Sequence, residues 1–296
     1  MKIGFIGLGR MGFPLASHLV KNGWDVTVFD VRSEQTAKLV ALGARPATDG
    51  AALAASVDIV MTMLPGPKQV RDVVLGANGV LVHMKPGAIL LELSTIDIDT
   101  VDELASTASE KGLRFADAPV GRLAAHADRG ESLFMLGAQD DDAKLLEPVL
   151  LKMGTTVQRC GGPGAGTRMK LINNLVVLSY CQLNSEALVL ARSMGLDVKK
   201  TFDVLTGTTA SNGQLKEKWP VKVLQGDLTP GFDIALGFKD LTLACQAAQS
   251  VGVSLPVGNL VRSLFQLARH AGKDGQDTSS MTDFWAESNG QPPIRF

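Results

Sequence analysis

The sequence predicts an α/β chain, with a mostly parallel, doubly wound sheet over residues 1–162 and an all-helical domain over 163–296. Three observations carry that expectation. A short apolar run, Lys2-Ile3-Gly4-Phe5-Ile6-Gly7, opens the chain and passes directly into a glycine-rich turn. Strand-length apolar runs then alternate with helical stretches as far as Gly137, and such alternation builds a parallel sheet covered on both faces. From Gly166 onward the strand pattern stops, leaving long helical segments punctuated by Gly, Pro and Asp.

The first turn reads Gly7-Leu8-Gly9-Arg10-Met11-Gly12, a G-x-G-x-x-G motif between a strand and a helix that runs to Asn22-Gly23. The next strand, Asp25-Val26-Thr27-Val28-Phe29-Asp30, ends in an acid. This is the dinucleotide-binding pattern of a Rossmann domain. Gly7 permits the tight turn, Gly9 lets the backbone approach a pyrophosphate, and Gly12 lets the helix pack on the strand. Asp30 accepts from a ribose 2′-hydroxyl and repels a 2′-phosphate, which favours NAD over NADP; Arg32 is the residue that could oppose that preference. Further strands are expected at Asp58–Pro65, Ala88–Thr95, Arg114–Pro119 and Ser132–Gly137, with a helix from Thr100 to Lys111. Ligands lie at the carboxyl ends of such strands, which places Leu64-Pro65 and Ser94-Thr95 beside the cofactor. Ser94-Thr95 also suits an N-cap for a helix starting near Asp97.

The segment Gly161-Gly162-Pro163-Gly164-Ala165-Gly166 marks the midpoint of the chain. A long buried helix is expected after it, from Leu171 to Met194. Lys170, Asn173, Asn174 and Val177 fall at i, i+3, i+4 and i+7, so one helix face carries a cation, two amides and then apolar packing. Such polar groups are costly to bury without a purpose. The turn before Lys170 is the expected domain junction, and interdomain clefts are preferred ligand sites. Later helices are expected at Thr201–Leu205, Lys216–Leu224, Leu236–Val251 and Val257–Gly272.

Composition removes other classes. The net charge is −1 and aromatics make up 5%, with no basic stripe, which argues against nucleic acid. Cys160, Cys181 and Cys245 are widely spaced, and His18, His83, His126 and His270 form no paired motif, so no metal site is expected. The cysteine usage suits a reducing, cytoplasmic setting. No uninterrupted apolar run is long enough for a membrane span, and Gly and Arg10 interrupt the faint signal-like N-terminus. The long apolar helices favour a homodimer or homotetramer.

The ordered set G-F-I-G-L-G-x-M-G-x-P-x-A, M-L-P, the S-T strand end, D-A-P-V, G-x-G-x-x-x-K-x-x-N-N and Phe238-Lys239-Asp240-Leu241 resembles the β-hydroxyacid dehydrogenases over essentially the whole chain. The resemblance implies a 6-phosphogluconate dehydrogenase-like fold and an NAD-dependent oxidoreductase. It implies that Lys170 is the catalytic lysine and that Asn173 and Asn174 orient the substrate. Arg10, Met11, Asp30, Leu64 and Thr95 match cofactor contacts, and Lys239 matches a lysine near the nicotinamide. The chain departs from the family at Asp117-Ala118-Pro119-Val120-Gly121-Arg122-Leu123, where most members read D-x-P-V-S-G-G. This segment, with Trp219-Pro220 and the run from Val223 to Leu228, most resembles the 3-sulfolactaldehyde reductases. Arg122 is a permanently charged fork suited to a sulfonate, which presents three acceptor oxygens, and a carboxylate also fits it. Its other reading is a salt bridge to Asp117 or Asp128. A small anionic aldehyde or alcohol is thus the expected substrate. A carboxylate enzyme acting on 3-hydroxyisobutyrate or a semialdehyde is the alternative, and a non-catalytic NAD-binding protein is the reading from another class.

Overall fold

The computed structural model describes residues 1–296. Its contacts divide into two compact units, Met1–Lys170 and Leu171–Phe296. The first unit alternates strands and helices in the order β1 (Lys2–Ile6), α1 (Gly12–Lys21), β2 (Asp25–Phe29), α2 (Ser33–Val40), β3 (Arg45–Pro46), α3 (Gly50–Ser56), β4 (Ile59–Thr62), α4 (Pro67–Val74) and α5 (Val80–His83). It continues with β5 (Ile89–Glu92), α6 (Ile98–Glu110), β6 (Arg114–Asp117), β7 (Val120–Gly121), α7 (Ala124–Asp128), β8 (Ser132–Gly137), α8 (Asp140–Leu150) and β9 (Gly154–Gly161). The sheet order is β3-β2-β1-β4-β5-β6-β8-β7, with β9 paired to β8. The six strands from β3 to β6 in that order are parallel, and their 3-2-1-4-5-6 arrangement is that of a Rossmann domain. β8 runs antiparallel to β6 and β7.

Alternation along each strand builds two cores. Ile3, Phe5, Val28 and Met61 face one, packed against Leu15 and Leu19 of α1 and Leu146 of α8. Ile6, Val60 and Leu90 face the other, packed against Leu53 of α3, Val70 of α4 and Leu104 of α6. Helices therefore cover both faces, and the carboxyl ends of the parallel strands β1, β4, β5 and β6 form one rim. The strand over Gly154–Gly161 is absent from the sequence-based expectation. Its residues are mostly polar and only β8 pairs with it, so no apolar run marks it.

Helix α9 spans Ala165–Ser193, beginning six residues before the expected start. Lys170 therefore lies within the helix, on the face that its spacing from Asn173 and Asn174 predicts. The expectation of a buried helix also needs correction, because Ile172 is 60% exposed, Leu183 59% and Leu190 60%. The second unit continues with α10 (Val198–Gly207), α11 (Ile234–Ser250), α12 (Pro256–His270) and α13 (Met281–Ser288) around a core that includes Leu178, Trp219, Leu241 and Phe265. The helix expected at Lys216–Leu224 is instead a π turn at Gln214–Lys218 and two 3-10 turns, Trp219–Val221 and Val223–Gln225. Pro220 explains the break, since it has no N–H to donate and its ring blocks a continuing α-helix. No helix is long and apolar enough to cross a membrane.

Candidate active site

The glycines of the first turn divide by role. Gly7 has φ +94°, and a Cβ there would meet the Met63 carbonyl oxygen at 2.3 Å. A Cβ on Gly12 would lie 1.9 Å from the Gly7 carbonyl oxygen. Both glycines are thus required by packing. Gly9 is different, since a Cβ there would meet only the Arg32 guanidinium, at 3.8 Å. Its open face, at the start of a helix that no side chain caps, leaves backbone close to where a diphosphate would sit. Met11 occupies the N-cap position of α1. Asp30, at the end of β2, accepts from the Leu8 N–H at 2.6 Å and the Arg32 N–H at 2.8 Å. Burial pushes its carboxyl up, but hydrogen bonds from Arg32 and Leu8 outweigh this and hold it below the usual carboxylate range. The acid is therefore ionised at neutral pH and fixed against the turn. These residues fit NAD. Arg10 lies on the same turn and forms a forked pair with Asp128, at 2.7 and 2.6 Å.

The rim also holds Leu64, Pro65, Ser94 and Thr95, which follow β4 and β5. The Leu64 N–H donates to Ser94 Oγ at 2.8 Å. Neither Ser94 nor Thr95 caps α6; Asp97 does, accepting from the Thr100 N–H at 2.8 Å. Behind Ser94 lies a group the sequence did not signal. Glu92 is fully buried and accepts from Thr62 Oγ1 at 2.6 Å and the Ser94 N–H at 2.7 Å. Burial pushes its carboxyl up to about 7 from an ordinary 4.5, against those hydrogen bonds and helped by the charge of Asp117.

That shift has a sign. An acid whose carboxyl is raised on folding stabilises the fold below the unfolded value of 4.5, and the contribution is lost as pH rises through about 7. Glu92→Gln keeps the volume and can still accept from Ser94. It should remove most of this dependence, which amounts to roughly 3 kcal/mol between the two limits. Melting curves at pH 5 and pH 8 check this: the variant should gain Tm over wild type at pH 8 and not at pH 5. Parallel pH profiles for the two proteins would contradict it.

The stretch after β6 places the remaining residues of the first unit. The Lys170 Nζ donates to the Val120 carbonyl at 2.7 Å. Gly121 is buried, and Arg122 has φ +70°, the one non-glycine residue with positive φ. Such a conformation costs about 1–3 kcal/mol and is common at functional sites. The Arg122 guanidinium donates to the Glu131 carbonyl at 2.6 Å, Thr155 Oγ1 at 2.8 Å and Thr156 Oγ1 at 3.1 Å. The alternative expectation of a salt bridge to Asp117 or Asp128 is therefore incorrect. Asp117 accepts backbone N–H groups of Gly164 and Thr167, and Asp128 is engaged by Arg10. All three of its hydrogen bonds go to neutral oxygens, and its charge also acts on the nearby Glu131 carboxylate.

On α9, Lys170, Asn173, Asn174 and Val177 share one helix face, as the spacing requires. In the second unit, Asn173 Nδ2 donates to Asn174 Oδ1 at 2.9 Å, and Asn174 Nδ2 donates to Asp240 Oδ2 at 2.6 Å. Asp240 also pairs with Lys239, Nζ to Oδ1 at 2.9 Å. The expected residues Asn173, Asn174 and Lys239 thus join through Asp240, whose part the sequence did not signal. Asp240 and Asn174 are 66 positions apart, and both are almost wholly buried. Val177 is half-buried beside them on the helix.

The family model described as the NAD binding domain of 6-phosphogluconate dehydrogenase matches residues 2–162. The model described as NAD-binding of NADP-dependent 3-hydroxyisobutyrate dehydrogenase matches residues 164–285. The 3-sulfolactaldehyde reductase of Escherichia coli (strain K12) is 39% identical over 281 residues, covering 95% of this chain and 94% of its own. The NAD-dependent L-serine dehydrogenase of Pseudomonas aeruginosa is 33% identical, covering 98% of this chain and 99% of its own. Among solved structures, the 3-hydroxyisobutyrate dehydrogenase of Mycobacterium tuberculosis with L-serine superposes with a TM-score of 0.84 at 31% identity, covering 95% of this chain and 97% of that one. With an NAD-binding Rossmann unit, a helical unit and matches along nearly its whole length, the chain belongs to the β-hydroxyacid dehydrogenase family, NAD-dependent oxidoreductases that act on CH–OH groups.

Proposed function

We propose that the protein is an NADH-dependent reductase of 3-sulfolactaldehyde, forming 2,3-dihydroxypropane-1-sulfonate reversibly. The observation that carries this reading is Arg122. It is a permanent charge held at φ +70°, two residues past the carbonyl that holds the Lys170 ammonium. It stands in the segment where the family usually has a serine and two glycines, in place of the first glycine, and its hydrogen-bond partners are all neutral oxygens. A sulfonate offers three charged acceptors, and hydrogen bonds to ionised acceptors are about twice as strong as neutral ones. The anion therefore competes well for this fork. The E. coli relative named for this activity adds support.

The bound nicotinamide supplies the hydride. Lys170 stabilises the alkoxide that develops on the aldehyde oxygen and donates the proton that completes the alcohol. In the reverse direction its neutral amine accepts that proton. Asn173 and Asn174 orient the hydroxylated end without adding charge. Gly121, whose missing side chain would meet Leu133 and Met135, is assigned to the substrate through its backbone. Gly7, Gly9, Arg10, Met11, Gly12, Asp30, Leu64, Pro65, Thr95 and Lys239 are assigned to the cofactor.

Asp30 gives the cofactor preference, NAD(H) over NADP(H), because an ionised acid faces the ribose 2′ position. Asp30→Ala should raise the KM for NADH and erode its advantage over NADPH, read as the ratio of the two kcat/KM values. An NADPH kcat/KM equal to or above that of NADH in wild type would contradict the assignment and point to Arg32 as the dominant contact.

A further inference from the structure

Asp117 is a buried acid that the reaction just described does not use. It is fully buried, and its two oxygens accept from two backbone groups 47 and 50 residues downstream. Oδ1 accepts from the Gly164 N–H at 2.7 Å, and Oδ2 accepts from the Thr167 N–H at 2.5 Å. Gly164 immediately precedes α9 and Thr167 lies in its first turn, so a side chain from β6 does the capping that a local residue usually does. Space for the carboxylate is made by glycines. A Cβ on Gly137 would stand 2.3 Å from Asp117 Oδ1, and a Cβ on Gly166 would stand 3.0 Å from Oδ2 and 2.1 Å from the Met135 carbonyl oxygen.

The same stretch of chain grips α9 a second time. Three residues after Asp117, the Val120 carbonyl accepts from Lys170 Nζ at 2.7 Å, and Lys170 follows Thr167 by three residues, nearly one helical turn. Residues 117–120 and 164–170 are thus joined at both ends. The rotation and rise of the first helical turn determine where the Lys170 ammonium sits, and Asp117 fixes both.

We propose that Asp117 is a positioning residue for the reaction: its carboxylate clamps the first turn of α9 and so sets Lys170 against the Val120 carbonyl. The inference rests on Lys170 being the proton donor proposed above. Loss of the clamp displaces the ammonium without removing it, and a misplacement of about 1 Å in such a site costs on the order of 10²-fold.

Asp117→Asn tests this. The carboxamide keeps the volume, but its NH2 group faces an N–H in place of an acceptor. With NADH and the aldehyde that wild type reduces fastest, kcat should fall about 10²-fold. The KM for the aldehyde and the Kd for NADH should stay within about threefold, a split that mere loss of stability does not give. A second readout needs no turnover. Acylation of Lys170 by a lysine-selective reagent, followed by mass spectrometry, should run faster in the variant than in wild type once the ammonium leaves its carbonyl. A kcat within about threefold of wild type, or an unchanged Lys170 labelling rate, overturns the proposal. If Asp117→Asn yields no folded protein, Asp117→Ser keeps one acceptor and admits water, and the same outcomes apply. Lys170→Ala, run alongside, separates the two claims. An inactive Lys170→Ala with a fully active Asp117→Asn defeats the clamp alone, whereas an active Lys170→Ala defeats the assignment of Lys170.

Discussion

Lys170→Ala should lower kcat by about 10²–10⁴-fold, the usual contribution of a general acid, while the protein folds and binds NADH. The fold tolerates the change because Lys170 is only half-buried; the Val120 carbonyl loses this donor. Val120 is buried, so leaving its carbonyl without this donor costs about 1–3 kcal/mol. The measurement is kcat with saturating NADH and aldehyde, with NADH binding followed by fluorescence as the folding control. Activity within about tenfold of wild type, about 1.4 kcal/mol of transition-state stabilisation, would rule Lys170 out as proton donor. Lys170→Arg refines the result. A guanidinium keeps the charge but gives up its proton far less readily, so it should rescue binding of the anionic aldehyde and not turnover.

Arg122→Ala has the next largest expected effect and bears on the substrate alone. Charge-assisted hydrogen bonds are worth about 1.5–3 kcal/mol, so kcat/KM for the sulfonate should fall roughly 10–200-fold with NADH affinity nearly unchanged. The variant also loses three bonds, to the Glu131 carbonyl and to Thr155 and Thr156, so a modest drop in Tm accompanies it. Arg122→Lys keeps the charge and loses the fork, and should fall between wild type and alanine. The diagnostic quantity is the ratio between substrates: a uniform loss across sulfonate and carboxylate aldehydes would contradict Arg122 as the residue that selects the sulfonate.

What the sequence revealed, and what it hid, follows from the range of each interaction. The G-x-G-x-x-G turn was legible because its constraints are local, namely the positive φ of Gly7 and the close approach of Gly12 to Gly7. Lys170, Asn173 and Asn174 were legible as a helix face because their spacing alone puts them there. β9 was not, since its strand character comes from pairing with β8 and not from an apolar pattern. The break within Lys216–Leu224 is written locally in the sequence, since Pro220 cannot continue an α-helix. Glu92 stood as a single acid in an apolar strand, with nothing local to show that it would lie fully buried. Asp117 and Asp240 were present in recognisable motifs, but their partners lie 47 to 66 residues away, beyond any short-range pattern. The nearest acids in sequence, Asp117 and Asp128, were the wrong partners for Arg122 for the same reason.

The central claim is that the chain reduces a sulfonated aldehyde, and one competition tests it most directly. Purified wild-type protein is given NADH and, in parallel, 3-sulfolactaldehyde, tartronate semialdehyde and methylmalonate semialdehyde, and kcat/KM is measured for each from the loss of NADH absorbance. The expected result is a preference of about tenfold or more for 3-sulfolactaldehyde, the size of one charge-assisted contact. A higher kcat/KM for either carboxylate aldehyde would contradict the sulfonate assignment and leave a carboxylate β-hydroxyacid dehydrogenase in its place.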